Sequence, residues 1–200
     1  MKKIVLLSVL FIFSFTKAQD FKIGLTFAPT ISFNKQEVKV DNKWKTVDGT
    51  GGLGWKGGLL ADYNFAGNYN LHSGILIHNK AFKGDDELDM VVSTLEIPLA
   101  LKLRTEEVAD NIRVTGFFGG LIDMNVGATV TDENGDEYDA NDAINTFGLS
   151  FMVGTGAEYD LDFGTIGLGL SYHLGFTDIS SDDNVRVTPK HLSIDLTFYF

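Results

Sequence analysis

The sequence predicts an all-β protein, an eight-stranded antiparallel up-and-down transmembrane β-barrel. Apolar residues recur at every second position in eight segments, the period of a strand whose two faces differ. Each segment has about 12 residues, enough for a tilted strand to cross a bilayer, which takes about 9 to 11. The connections between the segments alternate between long and short, as in a barrel whose two ends differ. The 200 residues, 44% of them apolar, have the size of one domain.

The N-terminus has the three zones of a secretory signal peptide. Two lysines precede an apolar run at 4–15, and the small residue Ala18 supplies a cleavage position. The run is too short to span a membrane, because a transmembrane helix needs about 20 apolar residues. We therefore predict a signal peptide at 1–19, cleaved near Ala18-Gln19, and a barrel domain at 20–200.

The strands follow from the parity of their apolar residues, taken in chain order. The first four have apolar residues at odd positions, the fifth at even positions, the sixth at odd positions, and the last two at even positions. Phe117 and Leu121 depart from this pattern in the fifth strand. The predicted strands are 21–33, 53–65, 69–80, 91–104, 112–126, 147–160, 166–176 and 192–200.

The connections predict which end of the barrel faces outward. Long or charged connections cover about 34–52, 83–89, 127–144 and 177–187, whereas the others are short: Gly67-Asn68, about 105–110 and about 161–163. An even-stranded barrel would place all four long loops at one end, which is the arrangement of outer-membrane barrels. In the third long connection Asn134-Gly135 favours a tight hairpin turn, so we expect this loop to extend as a ribbon.

The apolar face is predicted to point outward to lipid. An eight-stranded barrel is only wide enough for side chains to fill, and the apolar set of phenylalanine, leucine, isoleucine and tryptophan would overfill it. The opposite parity holds many glycines and short polar residues that fit a narrow interior. Aromatic residues near the strand ends are candidates for interfacial girdles: Trp55, Tyr63, Phe65, Tyr69, Tyr159 and Phe176.

The opposite parity carries charges of both signs, which we expect to form a polar cluster inside the barrel. Charges in a narrow interior must pair, because desolvation costs several kcal/mol per ion. The predicted cluster contains Lys56, Asp62, His72, Glu96, Lys102, Arg113, Glu158, His173 and Asp195, and the same face holds Lys22, His78, Lys80, Arg104 and Asp123. Paired charges would stabilise the barrel and block a pore, which favours a structural or surface-interaction role over catalysis. A narrow porin-like solute channel and a secreted, lipocalin-like soluble barrel with an apolar ligand are the alternatives.

Sequence motifs for catalysis or cofactor binding are weak. His191 and Ser193 lie two residues apart, a spacing similar to that of outer-membrane lipid A deacylases, but their parity points inward and they lack an identifiable carboxylate partner. Acidic residues at 85–89 and 132–139 could offer oxygen ligands to calcium, yet neither has the spacing of a calcium loop, so solvated loops are the better interpretation. We predict no catalytic residue, no cofactor and no metal site.

Charge and composition restrict the partners. The net charge of −11 disfavours binding to nucleic acid, because like charges repel phosphate backbones. The chain has no cysteine, which excludes thiol catalysis and disulfides. Outer-membrane lipid is the partner that the outward apolar face predicts, and no partner of the loops is identifiable.

Several short stretches resemble a bacterial family. LEIPLALK at 95–102 is similar to the LEIPLLLK stretch of small outer-membrane β-barrel proteins of the Bacteroidetes, the porin-like or PorT-like family, and 154–159 and 172–179 resemble that family's late strands. The signal peptide ending in Ala18-Gln19 is similar too. The terminal Phe200 resembles the C-terminal aromatic signature by which such barrels are recognised, which implies the barrel-assembly machinery as a partner. The resemblance implies a fold and an outer-membrane location, with no shared catalytic residues.

Overall fold

A computed structural model describes residues 21–48, 51–83, 89–132 and 134–200 of the chain. The predicted signal peptide and most of the acidic segment 85–89 lie outside these residues. Within the described part no helix has the length and apolar character needed to cross a membrane. Among the same described residues one 3₁₀ turn is found, at Asn141–Ala143. The strands are β1 (Phe21–Val40), β2 (Lys43–Asp48), β3 (Gly52–Ala66), β4 (Tyr69–Lys83), β5 (Asp89–Ala109), β6 (Ile112–Thr131), β7 (Glu137–Asp139), β8 (Phe147–Leu161), β9 (Gly164–Gly175) and β10 (Val185–Tyr199).

Eight of these strands form a closed antiparallel ring, which confirms the predicted fold class. Their order is β1, β3, β4, β5, β6, β8, β9 and β10, and β10 pairs back onto β1. Each strand therefore pairs with its neighbours along the chain, the up-and-down arrangement. The short β2 extends the ring beside β1, and β7 extends it beside β6.

The two ends of the ring differ as predicted. One end, which we call the short-turn end, holds the start of β1 at Phe21, the end of β10 at Tyr199, and three turns that comprise only 67–68, 110–111 and 162–163. The other end, the long-loop end, carries β2, β7 and the longer connections. Gly67 and Asn111 adopt positive φ values of 53° and 61°, which tight two-residue turns require.

Several strands are longer than their alternation predicted. β1 continues to Val40, and residues of the predicted first loop form a hairpin with β2, because Asp41 and Asn42 take φ values of 50° and 61° and make a tight turn. β5 continues to Ala109, and β10 already begins at Val185, where it pairs with the extension of β1. The boundaries 33, 104 and 192 were therefore wrong, since strand pairing continues beyond the bilayer-length apolar alternation.

The predicted ribbon in the third long connection is confirmed. β7 pairs with the end of β6, from Thr129 opposite Asp139 to Thr131 opposite Glu137. Gly135 in the turn has a φ of 85°, and its N–H donates to the carbonyl of Asp132 at 3.0 Å. The Asn-Gly pair thus makes the turn that its sequence indicates.

The apolar parity faces outward along every strand of the ring. In β1, Leu25, Phe27 and Ile31 are exposed, whereas Thr26 and Thr30 between them are buried. This orientation removes the basis for a soluble barrel with an apolar interior. The six predicted girdle aromatics are all exposed on this outer surface: Trp55, Tyr63, Phe65, Tyr69, Tyr159 and Phe176.

Phe117 and Leu121 face the interior, which explains why they disturb the alternation of β6. Leu121 packs with Ala100 and Met152, and Phe117 lies against the same group. On the opposite wall Leu60, Leu76 and Tyr199 pack together. The middle of the barrel therefore contains an apolar layer, which the parity of the strands alone does not predict.

Gly119, on the inner face of β6, is required by close packing against β5. It lies opposite Ala100, and a Cβ there would overlap the carbonyl oxygen of Leu99 and the Cα of Ala100. We expect Gly119→Val to lower the free energy of unfolding by about 1–3 kcal/mol, the usual cost of overpacking. Gly120→Val is the matched control, because a Cβ at Gly120 meets open space on the outer face. Urea unfolding in lipid vesicles compares the two variants, and equal stabilities would contradict the packing described here.

Candidate functional site

The inward parity of the strands gathers the charged side chains into two clusters at different heights. All nine members of the predicted polar cluster point inward, and the structure divides them between these two groups. The short-turn ion cluster comprises Lys22, Asp62, His72, Lys102, Arg104, Arg113, Glu158, Asp160 and Tyr199. The long-loop ion cluster comprises Lys56, His78, Lys80, Glu96, Asp123, His173, His191 and Asp195.

Lys102 is the centre of the short-turn ion cluster. Its Nζ lies 2.6 Å from Asp62 Oδ2, 2.6 Å from Glu158 Oε1, and 3.0 Å from the Tyr199 hydroxyl. Asp62 also accepts a hydrogen bond from His72 Nδ1 at 2.6 Å. Because β5, which carries Lys102, and β10, which carries Tyr199, lie on opposite sides of the ring, these contacts cross the whole lumen.

Two arginines extend this cluster to the mouth at the short-turn end. Arg104 donates from Nε to Glu158 at 2.6 Å and from Nη2 to Asp160 at 2.7 Å. Arg113 binds the other oxygen of Asp160 at 3.0 Å and reaches the exposed Glu107 at 2.9 Å. Arg113 therefore lies at the rim, while Lys102 and its partners are buried.

The long-loop ion cluster contains two lysines that each bind more than one group. Lys80 Nζ lies 3.1 Å from Glu96 and 3.0 Å from Asp123, whose second oxygen accepts a short hydrogen bond from Ser150. Lys56 Nζ lies 3.1 Å from Asp195 and 3.2 Å from His173 Nε2. Lys56 belongs to β3, whereas its partners belong to β9 and β10. The long-loop ion cluster therefore also connects strands that are not neighbours in the ring.

Three histidines contact one another within the long-loop ion cluster, with His173 stacked on His191 and His78 edge-on to it. His191 lies between His78 and His173, with ring centroids 4.4 Å and 4.1 Å away. His78 Nδ1 lies 2.6 Å from Glu96 Oε1, and its Nε2 lies 3.2 Å from the Thr30 hydroxyl. His78, Glu96 and His191 each place one donor atom within 4.8 Å of the others, so this trio has the residue types and proximity to hold a metal ion.

Apolar side chains separate the two clusters and close the barrel above them. The apolar layer of Leu60, Leu76, Phe117 and Leu121 lines a cavity between the clusters. At the long-loop end Phe82, Val92, Ala128 and Ile179 form a further apolar group, against which Met90, Ala140, Ile144 and Val187 pack. Ile179, Ala140 and Ile144 come from the loops, which therefore cover the lumen at this end.

The pair His191 and Ser193 does not face lipid. Both side chains are buried in the lumen. The Ser193 hydroxyl donates to Asp195 at 3.2 Å and shares a hydrogen bond with the Ser171 hydroxyl at 2.6 Å, while His191 contacts His78 and His173. The arrangement fits a structural hydrogen-bond network rather than a nucleophile and base open to a lipid substrate.

The acidic residues of the third long loop act on the loop's own backbone. The carboxylate of Asp132 accepts hydrogen bonds from the backbone N–H groups of Asp136 and Asn134, both at 2.9 Å. These donors favour the charged form and hold the pKa of Asp132 below its usual range. Asp139 likewise accepts from the backbone N–H of Asn141 at 2.8 Å. These carboxylates shape turns, which agrees with the interpretation as solvated loops.

Three members of the clusters were neither in the predicted cluster nor in the further charged set expected on the same face: Asp160, His191 and Tyr199. Each stands at an inward position of its strand, so parity alone could have included them. What parity cannot indicate is the partner of each group, because that depends on how the strands are staggered around the ring.

A closed ring of membrane-length strands, apolar outside and packed with ion pairs inside, defines a small transmembrane β-barrel. The chain belongs to the outer membrane protein beta-barrel domain family, whose model matches residues 7–181. It is therefore an outer-membrane protein. In barrels of this class the short turns face the periplasm and the long loops face the outside of the cell. No curated protein matches the sequence.

Solved structures show the same fold at low sequence identity. The crystal structure of Neisserial surface protein A (NspA) is 12% identical, with a TM-score of 0.50 over 88% of this chain and 97% of that one. The outer membrane protein OprG from Pseudomonas aeruginosa is 16% identical, with a TM-score of 0.50 over 90% of this chain and 95% of that one. At these identities the similarity establishes the architecture alone.

Proposed function

We propose that this protein is a closed outer-membrane barrel that presents a structured loop platform at the cell surface, and that its role is structural or interactive rather than catalytic. The observation that carries the proposal is the filling of the lumen at successive heights. From the periplasmic side these are the short-turn ion cluster, the apolar layer, the long-loop ion cluster, and the apolar group under the loops.

Contacts between the loops support a fixed platform. Ile144 pairs with Ser180 in an isolated bridge between the loops that follow β7 and β9. The side-chain amide of Asn145 donates to the carbonyls of Asp178 and Ser180 at 3.0 and 2.6 Å. The guanidinium of Arg186, near the start of β10, lies 4.7 Å from the ring of Trp44 in the first-loop strand β2. Loops that bind one another keep one shape, as a recognition surface requires.

Conductance in planar lipid bilayers tests the closed barrel. We expect the purified protein to insert without discrete current steps, whereas a large porin added to the same bilayers gives them, because only the larger barrel encloses an aqueous channel. Reproducible steps that follow insertion would favour the narrow solute channel instead and contradict the closed barrel. The matched variant is Lys80→Ala, which removes the lysine that contacts both Glu96 and Asp123 in the lumen. If either protein leaks ions, we expect this variant to leak more than the natural sequence.

Two partners are part of the proposal. The outward apolar belt fits the acyl chains of outer-membrane lipids. The C-terminal strand β10 is followed directly by Phe200, whose side chain is exposed and whose backbone N–H donates to the carbonyl of Ile23 at 3.0 Å. We propose that this strand is the segment bound by the barrel-assembly machinery. Deletion of Phe200 is expected to reduce the amount of folded protein in the outer membrane.

A finer affiliation is also proposed. The stretch LEIPLALK at 95–102 supports membership of the PorT-like barrels of the Bacteroidetes. Cleavage of a signal peptide near Ala18-Gln19 remains a prediction, and N-terminal sequencing of the protein extracted from outer membranes tests it.

A further inference from the structure

We propose that His78, Glu96 and His191 bind one divalent transition-metal ion inside the barrel. The three side chains come from β4, β5 and β10, and one donor atom of each lies within 4.8 Å of the other two. The ion would sit in the long-loop ion cluster, below the apolar group that the loops complete. This site is separate from the proposed surface role, which does not require it.

Unpartnered donor atoms point to a missing ligand at this position. Glu96 Oε2 and His191 Nε2 are buried without a hydrogen-bond partner among the described residues, although Glu96 is 0% and His191 3% exposed. Buried polar atoms are nearly always paired, because leaving one unpaired costs stability. His173 Nδ1, in the ring stacked on His191, is unpartnered as well. A cation bound by His78, Glu96 and His191 would give the Glu96 carboxylate and the His191 imidazole a partner.

The ligand types indicate the class of metal. Two imidazoles and one carboxylate suit zinc and other first-row ions such as cobalt and nickel, whereas calcium and magnesium prefer oxygen ligands throughout. Metal–ligand bonds of about 2.0–2.2 Å place neighbouring ligands about 3.3 Å apart, so donor atoms now within 4.8 Å need to draw in by about 1.5 Å at most. Rotation of the side chains can supply that movement.

Neighbouring groups hold the ligands in place and set the charge. Thr30 contacts His78, and Lys80 contacts Glu96. In metal sites such neighbouring residues orient the side chains that bind the ion. The cluster contains the carboxylates of Glu96, Asp123 and Asp195 but only the ammonium groups of Lys56 and Lys80. With neutral histidines it carries one net negative charge, which a bound cation offsets. A proton on one imidazole is the competing way to offset it.

Cobalt binding tests the site with a spectroscopic signal. Untagged protein extracted from outer membranes is unfolded, refolded into detergent with Co²⁺ so that the buried site can load, and freed of excess metal. We expect one Co²⁺ per barrel, visible absorption bands of a low-coordinate nitrogen and oxygen site, and their loss when Zn²⁺ is added. His191→Asn should weaken binding by at least about 100-fold, more than the loss of an outer residue costs. His72→Asn, a buried histidine beside a carboxylate in the other cluster, is the matched control and should bind normally.

Heat-dependent mobility on gels establishes which variants fold. If His191→Asn does not fold, Glu96→Gln, which keeps the shape of the side chain, takes its place. If neither folds, the wild-type thermal midpoint decides, and we expect it to be higher after refolding with Zn²⁺ than with a chelator. A folded wild-type barrel without stoichiometric Co²⁺, binding unchanged in a folded His191→Asn or Glu96→Gln variant, or equal midpoints with Zn²⁺ and chelator would overturn the proposal in favour of a protonated, metal-free cluster.

Discussion

Lys102→Met is expected to lower the free energy of unfolding by about 3–5 kcal/mol, the usual cost of removing one partner from a buried ion pair. The substitution keeps most of the side chain's length but removes the charge that Asp62 and Glu158 share, each at 2.6 Å. The two buried carboxylates would then lie in the lumen without the positive charge of the Lys102 ammonium, which contacts both of them. Equilibrium unfolding by urea in lipid vesicles measures the loss.

Arg113→Met is the matched control for this prediction. It also removes a cation of the short-turn ion cluster, but Arg113 lies at the rim, where its pair with the exposed Glu107 is solvated. The expected cost is below about 1 kcal/mol, as for surface ion pairs. Adding Glu158→Gln to Lys102→Met should recover part of the stability, because one of the stranded charges is gone. Equal costs for Lys102→Met and Arg113→Met would contradict a lumen held together by buried ion pairs.

Leu59→Arg is expected to lower the free energy of unfolding by about 2–4 kcal/mol in lipid vesicles, the cost of a cation on the lipid face near the bilayer midplane. Leu59 is the middle residue of β3 and is 51% exposed on the outer surface, between Leu25 and Ile75 on the neighbouring strands. The cost arises from lipid alone, since the same position on a soluble barrel would be in water.

Leu53→Arg provides the comparison in the same strand. Leu53 lies one residue from the start of β3 at the long-loop end and is 78% exposed, so a cation there reaches water or headgroups, and the expected cost is about 0–1 kcal/mol. The ratio of refolded to unfolded protein at increasing urea concentrations measures both variants. Little effect from either substitution would mean that this face does not contact lipid.

The fold could be predicted because every strand that crosses a bilayer must present apolar side chains to lipid at alternate positions. Leu25, Leu59 and Ile75 face outward in the structure, as the apolar parity predicts, and the charged residues of opposite parity face inward. The alternation of short and long connections gave the direction of the strands and the end at which both termini lie. Alternation and connection length are local features of the sequence, so the fold can be predicted from them without knowing which side chains contact one another.

The pairing inside the barrel could not be predicted from the same signals. Lys102 binds Asp62, Glu158 and Tyr199, which come from three other strands, and the stagger between strands decides which of them it reaches. The trio of His78, Glu96 and His191 has the same origin: its members lie far apart in sequence and carry no motif spacing. The hairpin of β2 was missed because the pair Asp41-Asn42 is a weaker turn signal than Asn-Gly.

Spin labels on single cysteines test the central claim, that the barrel is apolar and lipid-facing outside and packed inside. The chain has no cysteine of its own, so Leu25→Cys, Thr26→Cys, Val114→Cys and Thr115→Cys each carry one label. Leu25 and Val114 face outward, whereas Thr26 and Thr115 line the cavity inside. Accessibility to oxygen, which dissolves in lipid, and to a water-soluble nickel complex is measured for each label by power saturation.

We expect labels at Leu25 and Val114 to be accessible to oxygen and shielded from the nickel complex, and labels at Thr26 and Thr115 to be shielded from both. Each pair differs by one position in the same strand, so the comparison depends only on which face the side chain occupies. Access of the nickel complex to Thr26 and Thr115 would contradict the packed interior and indicate a water-filled pore. Access of the complex to Leu25 and Val114 would contradict the lipid-facing exterior.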